Sequence, residues 1–249
     1  YHTRNVVKKK QIIMITIIKV VIVSALAFLM TSCNLNLGVR GNGIVKTVER
    51  TQIGPFSEIE VSRGLDVYVT QSDLESISVK ADENLHDLIK TNIKGNVLKI
   101  YAEENINFSE AQKVMVSFKT INKISASSGS DIYSTNTLTA DTIKLITSSG
   151  SEMALKLNAT SVDCKSSSGS NLQLSGTAVN LIASASSGSN INASDLNAET
   201  SNVSASSGAD ITVNTSNELY ASAYSGGGVK YRGNPEKINK TDGVSGILK

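Results

Sequence analysis

Ile124-Ser125-Ala126-Ser127-Ser128-Gly129-Ser130-Asp131-Ile132-Tyr133-Ser134 is the stretch that decides the fold, because its centre recurs. Ser-Gly steps stand at Ser128-Gly129, Ser149-Gly150, Ser168-Gly169, Ser187-Gly188, Ser207-Gly208 and Ser225-Gly226. Successive glycines are 21, 19, 19, 20 and 18 residues apart. Self-similarity at this period marks a solenoid, in which each repeat is one rung that buries its apolar face only against its neighbours.

Counting from each glycine exposes the register. Three residues after it stand Ile132, Met153, Leu172, Ile191, Ile211 and Val229. Five before it stand Ile124, Leu145, Cys164, Ala183, Val203 and Ala221. Four copies place Ala140, Ala159, Ala178 and Ala198 ten residues before the glycine. Ser, Thr, Asn, Asp and Lys fill most positions between, and runs such as Val203-Ser204-Ala205 alternate as a strand with one buried face does. Strand, corner, strand explains the spacing. Glycine supplies a backbone conformation closed to side chains with a Cβ, and serine satisfies backbone groups at the bend. Stacking at about 4.8 Å puts like on like in ladders. The expected fold is all-β, a parallel β-solenoid with rungs of 18–21 residues and structural corners at Gly129, Gly150, Gly169, Gly188, Gly208 and Gly226.

A further copy lies upstream. Ile59-Glu60-Val61-Ser62-Arg63-Gly64-Leu65-Asp66-Val67-Tyr68-Val69 matches residues 124–134 in spacing and makes Gly64 another corner. Residues 43–120 are therefore expected to begin the same coil with longer strands. Candidate strands are Ile77–Ala81, Val97–Ala102 and Val114–Phe118, with Lys94-Gly95-Asn96 as a turn. Residues 82–90 are compatible with a short helix or with an arm outside the coil. The Ser-Gly rungs occupy 121–233, and Pro235 with the charged residues 236–240 suggests a cap over 234–249.

Residues 1–33 form a leader. Lys8-Lys9-Lys10 precede an apolar stretch from Ile12 to Met30 that contains Lys19, and Met30-Thr31-Ser32-Cys33 follows. This is a secretory signal whose end resembles the lipobox of bacterial lipoproteins, so Cys33 is the expected lipidation site and 34–42 the tether. The chain opens on Tyr1, and Met14 offers an alternative start. The leader holds five of the 24 Lys+Arg and none of the 22 Asp+Glu, leaving 19 basic against 22 acidic residues, a net charge of −3. That balance gives no support to nucleic-acid binding, which needs a basic excess against phosphates. The expected partners are a membrane, through the lipid, and a glycan or protein ligand at the surface. The location is the outer membrane, on its periplasmic or outer face. The oligomeric state stays open.

Little material for catalysis is present. His86 is the one histidine beyond the leader, and the regular serines are explained by corner geometry. No catalytic residue, metal ligand or cofactor is expected. The column two after each glycine, Asp66, Asp131, Glu152, Asn171, Asn190 and Asp210, reads as a solvent-facing ladder, with cation binding as the less favoured alternative. Cys164 falls in an inward column and reads as a packed thiol. Asp141-Thr142-Ile143 is similar to a three-residue O-glycosylation site of exported Bacteroidetes proteins, which makes Thr142 a weak candidate for modification.

Gly54-Pro55-Phe56-Ser57-Glu58-Ile59, the run from Gly64 to Gln71, and Val79-Lys80-Ala81-Asp82-Glu83-Asn84-Leu85 together resemble the opening of the auto-transporter adhesin family with a head GIN domain. The Ser-Ser-Gly-Ser repeats and Tyr231-Arg232-Gly233-Asn234-Pro235 resemble its C-terminal part, so the likeness covers 43–249. It implies an all-β coil of right-handed parallel strands, exported and often lipidated, common in Bacteroidetes, and it brings no catalytic residues. The expected function is a lipid-anchored envelope solenoid acting as an adhesin or binding scaffold. The alternatives are a polysaccharide-active β-helix enzyme, which needs a charged groove, and a self-assembling scaffold joined through open solenoid ends.

Overall fold

The computed structural model describes residues 14–21, 24, 38–51, 54–241 and 244–246. Two compact units divide the chain, 1–37 and 38–249. In the first, residues 14–21 are helical, and no described helix is long and apolar enough to cross a membrane. Cys33 lies outside the described residues.

The second unit is a β-solenoid of about 6 turns. Its strands are β1 (Val39–Arg40), β2 (Val45–Glu49), β3 (Glu58–Ser62), β4 (Asp66–Gln71), β5 (Ser76–Asp82), β6 (Ile89–Lys94), β7 (Val97–Ala102), β8 (Ile106–Phe108) and β9 (Gln112–Phe118). Then follow β10 (Lys123–Ala126), β11 (Asp131–Thr147), β12 (Glu152–Ser166), β13 (Asn171–Ala185), β14 (Asn190–Ser206), β15 (Asp210–Tyr224), β16 (Gly228–Arg232), β17 (Lys237–Lys240) and β18 (Val244–Gly246).

From β10 onward each strand pairs in parallel with its counterpart one rung on. Ile132, Met153, Leu172, Ile191, Ile211 and Val229 are register partners in turn, and all are buried. So are Ile124, Leu145, Cys164, Ala183, Val203 and Ala221. Ala140, Ala159, Ala178 and Ala198 form a third column, at the corner opposite the Ser-Gly turns. Each large member of these columns contributes about 1.5–3 kcal/mol by leaving water.

The corners are tighter than glycine alone would make them. Ser128 has φ 54° and Gly129 φ 69°, two consecutive left-handed residues, and Ser130 N–H donates to Ser127 C=O at 3.3 Å. This is the pattern of a type I′ turn, here used as a corner between segments that each pair in parallel with neighbouring rungs. The same pair of positive φ values recurs at all seven corners, with Arg63 in place of serine before Gly64. A Cβ on any of these seven glycines would meet nothing within 4 Å, so only the backbone angle demands glycine. The serine after the glycine does the satisfying: Ser130, Ser151, Ser170 and Ser189 are buried, and each hydroxyl accepts the N–H of the serine three residues earlier. Ser151 Oγ then donates to Ala126 C=O at 3.0 Å and Ser189 Oγ to Ser166 C=O at 2.8 Å, tying rung to rung.

Residues 43–118 depart from a simple continuation. The Gly64 corner joins the stack directly, with Ile59 opposite Ile124, Asp66 opposite Asp131 and Tyr68 opposite Tyr133. Beyond it lie β7 and β9, parallel to β3 and β4, so the chain loops out after β4 and returns to cover the first rung. β2 with β5, β5 with β9, and β6 with β7 are antiparallel. The expected strands and the Gly95-Asn96 turn are present: Val97–Ala102 and Val114–Phe118 join the parallel stack, whereas Ile77–Ala81 lies in β5, which is antiparallel to its neighbours. The physical reason is the open edge: the first rung would otherwise leave a row of unpaired backbone groups. Residues 82–90 hold a 3-10 turn, Glu83–Leu85, which buries Leu85 before β6 begins. Asp82 anchors the region from within, fully buried, with Oδ1 accepting Glu110 and Ala111 N–H at 3.1 and 3.0 Å and Oδ2 accepting Gly43 N–H at 2.8 Å. At the tether end, Val39–Arg40 already pairs with β8. Within 234–249, β17 stacks on β15 and β18 on β16, both in parallel.

Candidate functional site

Two outward faces flank the Ser-Gly corner, and their charges are arranged differently. On the face before the corner, every acidic group is paired across rungs, Lys99 with Glu60 at 3.2 Å, Lys123 with Glu58 at 3.0 Å and Lys144 with Asp163 at 3.8 Å, although Lys123 and Lys144 are themselves register partners. On the face after the corner, like stands on like. Asp66, Asp131 and Glu152 are successive register partners, continued by Asn171, Asn190 and Asp210. Burial pushes the Asp66 carboxyl up, with the Lys113 charge opposing. Asp131, in the middle, is pushed up by burial first and then by Asp66 and Glu152. The stacking of carboxylates thus works against the ionised state of Asp131.

Beside the acidic row runs a second outward column: Tyr68, Tyr133, Ala154, Gln173, Asn192 and Thr212. Tyr68 and Tyr133 stack with ring centroids 5.6 Å apart, and Lys113 Nζ lies 5.4 Å from the Tyr68 centroid. Burial and the three carboxylates push the Tyr133 phenol up to about 12. The column then drops to a methyl group at Ala154.

Unequal rung lengths deepen that drop. Between Tyr133 and Thr137, β11 has three residues where β12 has only Leu155, and β14 has two where β13 has only Leu174. The short rungs of β12 and β13 therefore lie between two longer ones, whose extra residues are exposed at Thr135 and Asn136 but buried at Ala193 and Ser194. A recess of about 290 Å³ results, lined by Ser134, Ala154, Lys156, Gln173, Asn192 and Asp195 among others. Ser134 Oγ accepts the Lys156 N–H at 2.9 Å, which fixes one wall.

Residues 55–235 match the family described as "Putative auto-transporter adhesin, head GIN domain". The chain belongs to this family. Among solved structures, this head GIN domain chain is similar to a "putative adhesin" of Bacteroides fragilis at TM-score 0.75 and 22% identity, over 84% of this chain and 95% of that one. It is also similar to a "putative adhesin" of Parabacteroides merdae (TM-score 0.68, 20% identity, 84% and 99% covered). A "putative lipid binding protein" of Parabacteroides distasonis matches at TM-score 0.67 and 19% identity, again over 84% and 99%. At these identities the likeness is one of fold. No curated protein matches the chain at a significant level.

The residues singled out in the sequence fall as follows. The glycine corners, Gly64 to Gly226, line one edge of the head GIN coil and are structural. Thr142 is exposed beside Ser161 of the next rung. Cys164 is buried, and burial pushes its thiol far above the ordinary range, leaving it without nucleophilic character. His86 Nε2 sits 3.1 Å from Lys46 C=O, inside the N-terminal cap. Among the described residues, no group of three or more His, Cys, Asp or Glu is placed to hold a metal. The recess at Ala154 escaped the sequence reading, although the uneven glycine spacing and the Tyr-Tyr-Ala order both signalled it.

Proposed function

We propose that this head GIN domain chain is a lipid-anchored adhesin of the bacterial cell envelope that works by presenting a rigid surface, without catalysis. Acylation of Cys33 and the tether from residue 34 would hold the solenoid at the outer membrane. The observation that carries the reading is the contrast between the two faces. On one, each charge of the column has an ion-pair partner on a neighbouring rung, even where Lys123 stands beside Lys144, as on a structural face. The other keeps an unfavourable acidic row beside stacked tyrosines and a recess, as a surface kept for a partner would be. The family description and the adhesin neighbours support the same reading and an envelope location.

A polysaccharide-cleaving reading would need carboxylates converging with arginine or lysine across a groove. Here the acidic ladder is straight with Lys113 at one end, Arg50 and Arg63 are committed to backbone carbonyls of the cap, and the recess, though it holds Lys156, offers the single carboxylate Asp195, which faces Arg232 at 3.9 Å. The test has two arms. Fatty-acid labelling should mark the wild type and not Cys33→Ala, and cells bearing the wild type should adhere to immobilised glycoprotein better than cells lacking it. Labelling that survives Cys33→Ala overturns the anchor, and equal adherence overturns the adhesin.

A further inference from the structure

We propose that the recess over Ala154, together with the Tyr133 side chain that adjoins it as the register partner of Ala154, is a saccharide subsite taking one ring of a neutral oligosaccharide. The proposal rests on the binding reading above and specifies what is bound. Tyr133 and Ala154 are register partners, as are Ala154 and Gln173. Rungs repeat at about 4.8 Å, so the Tyr133 and Gln173 side chains are two spacings apart, and truncation at Ala154 leaves between them a slot about one ring thick. Tyr68 backs Tyr133 at 5.6 Å, so the platform is already ordered before anything binds. An aromatic face fixed in this way offers large contact area at low entropic cost. The apolar C–H face of a pyranose is its natural complement.

Hydroxyl partners surround the slot. Asp131 and Glu152 precede Tyr133 and Ala154 by two residues on their own strands, which places them on the same outward face. Gln173 is exposed and Asn192 half-buried on the far side, and Lys156 closes the wall beside Ser134. Carboxylates and carboxamides are the groups that pair vicinal hydroxyls in both directions, donating and accepting. The acidic row beside the slot disfavours uronates by like charge, against the single Lys156 on its wall. The recess spans only the two short rungs between longer ones, so a trisaccharide is a suitable probe.

The test is calorimetric titration of the full-length protein in detergent with cellotriose, mannotriose, N,N′,N″-triacetylchitotriose and trigalacturonate. At least one neutral trisaccharide should bind and trigalacturonate should not. Tyr133→Ala should weaken that binding at least about tenfold, as loss of a central aromatic anchor does. Ala154→Leu should abolish it by filling the slot. Gln173→Ala, at an exposed position, repeats the readout should Ala154→Leu fail to fold. The proposal is overturned if no neutral trisaccharide binds, if trigalacturonate binds equally, or if Tyr133→Ala and Gln173→Ala leave binding unchanged. Failure of the subsite alone leaves cell adherence intact, whereas failure of the adhesin reading removes the adherence itself.

Discussion

The amide of Gly64 donates to the carbonyl of Ser128 at 3.1 Å, joining two corners that are neighbours in the stack and far apart in the chain. The same contact repeats from Gly129 to Ser149, Gly150 to Ser168, Gly169 to Ser187, Gly188 to Ser207 and Gly208 to Ser225. The corners thus form a ladder of their own, and the excursion of residues 72–118 leaves it unbroken.

The corners carry a measurable strain. Ser168 is exposed with φ 55°, an angle that costs a residue with a Cβ about 1–2 kcal/mol. Ser168→Asn should raise stability by about 0.5 kcal/mol, because asparagine tolerates that region best after glycine. Gly169→Ala should lower it by about 1 kcal/mol with no clash involved. Gly176→Ala should cost more, at least about 2 kcal/mol, since its Cβ would lie 2.0 Å from the Leu157 carbonyl oxygen at φ 109°. Urea unfolding of the three variants checks the ranking.

Asp82 is expected to control the N-terminal cap separately from the repeats. Its carboxylate takes three backbone N–H groups while fully buried. Asp82→Ala orphans all three and should cost at least about 3 kcal/mol. Hydrogen exchange should show faster exchange in 39–118 than in β12–β14. Uniform acceleration through β12–β14 would mean that cap and coil unfold as one.

The acidic row gives a pH dependence of definite sign. Asp66 and Asp131 have their carboxyl pKa values raised by folding, so their contribution is fully present below the ordinary aspartate value and is lost as the pH rises through the raised one. Asp131→Asn removes that loss. It should leave stability unchanged near about pH 3 and increase it near about pH 7, above the pH at which the Asp131 contribution is lost. Urea midpoints at the two pH values decide it.

Cys164 reports global opening. Its thiol is completely enclosed and held protonated, so a thiol reagent should label it only at the rate of unfolding. Quenched labelling in increasing urea should track loss of β-structure. Rapid labelling without urea would show that the third rung opens locally.

The coil was legible because its information is local and periodic. Ile132 to Val229 recur at one offset from glycine, and strand alternation settles which side faces inward. The upstream corner at Gly64 was legible for the same reason. The antiparallel cap was not, since Ile77, Val79 and Ala81 alternate identically whichever way a partner runs. Asp82 was hidden because nothing nearby in sequence marks it as the acceptor for Glu110 and Ala111. The left-handed serine was hidden by expecting glycine to carry the turn alone. At the candidate site, the acidic column was read correctly as outward. The recess beside it required knowing that the unequal rung lengths place their extra residues at 134–136 and 193–194, next to Ala154 and Gln173.

The central claim is that one outward face binds while the other is structural, and adherence of protein-coated beads to immobilised glycoproteins tests it most directly. Tyr133→Ala combined with Gln173→Ala should abolish adherence with the thermal unfolding transition retained. Glu58→Ala combined with Lys123→Ala, which removes a pair at 3.0 Å on the opposite face, should leave adherence at the wild-type level. Adherence that survives the first pair, or is lost with the second while the fold is intact, would contradict the account.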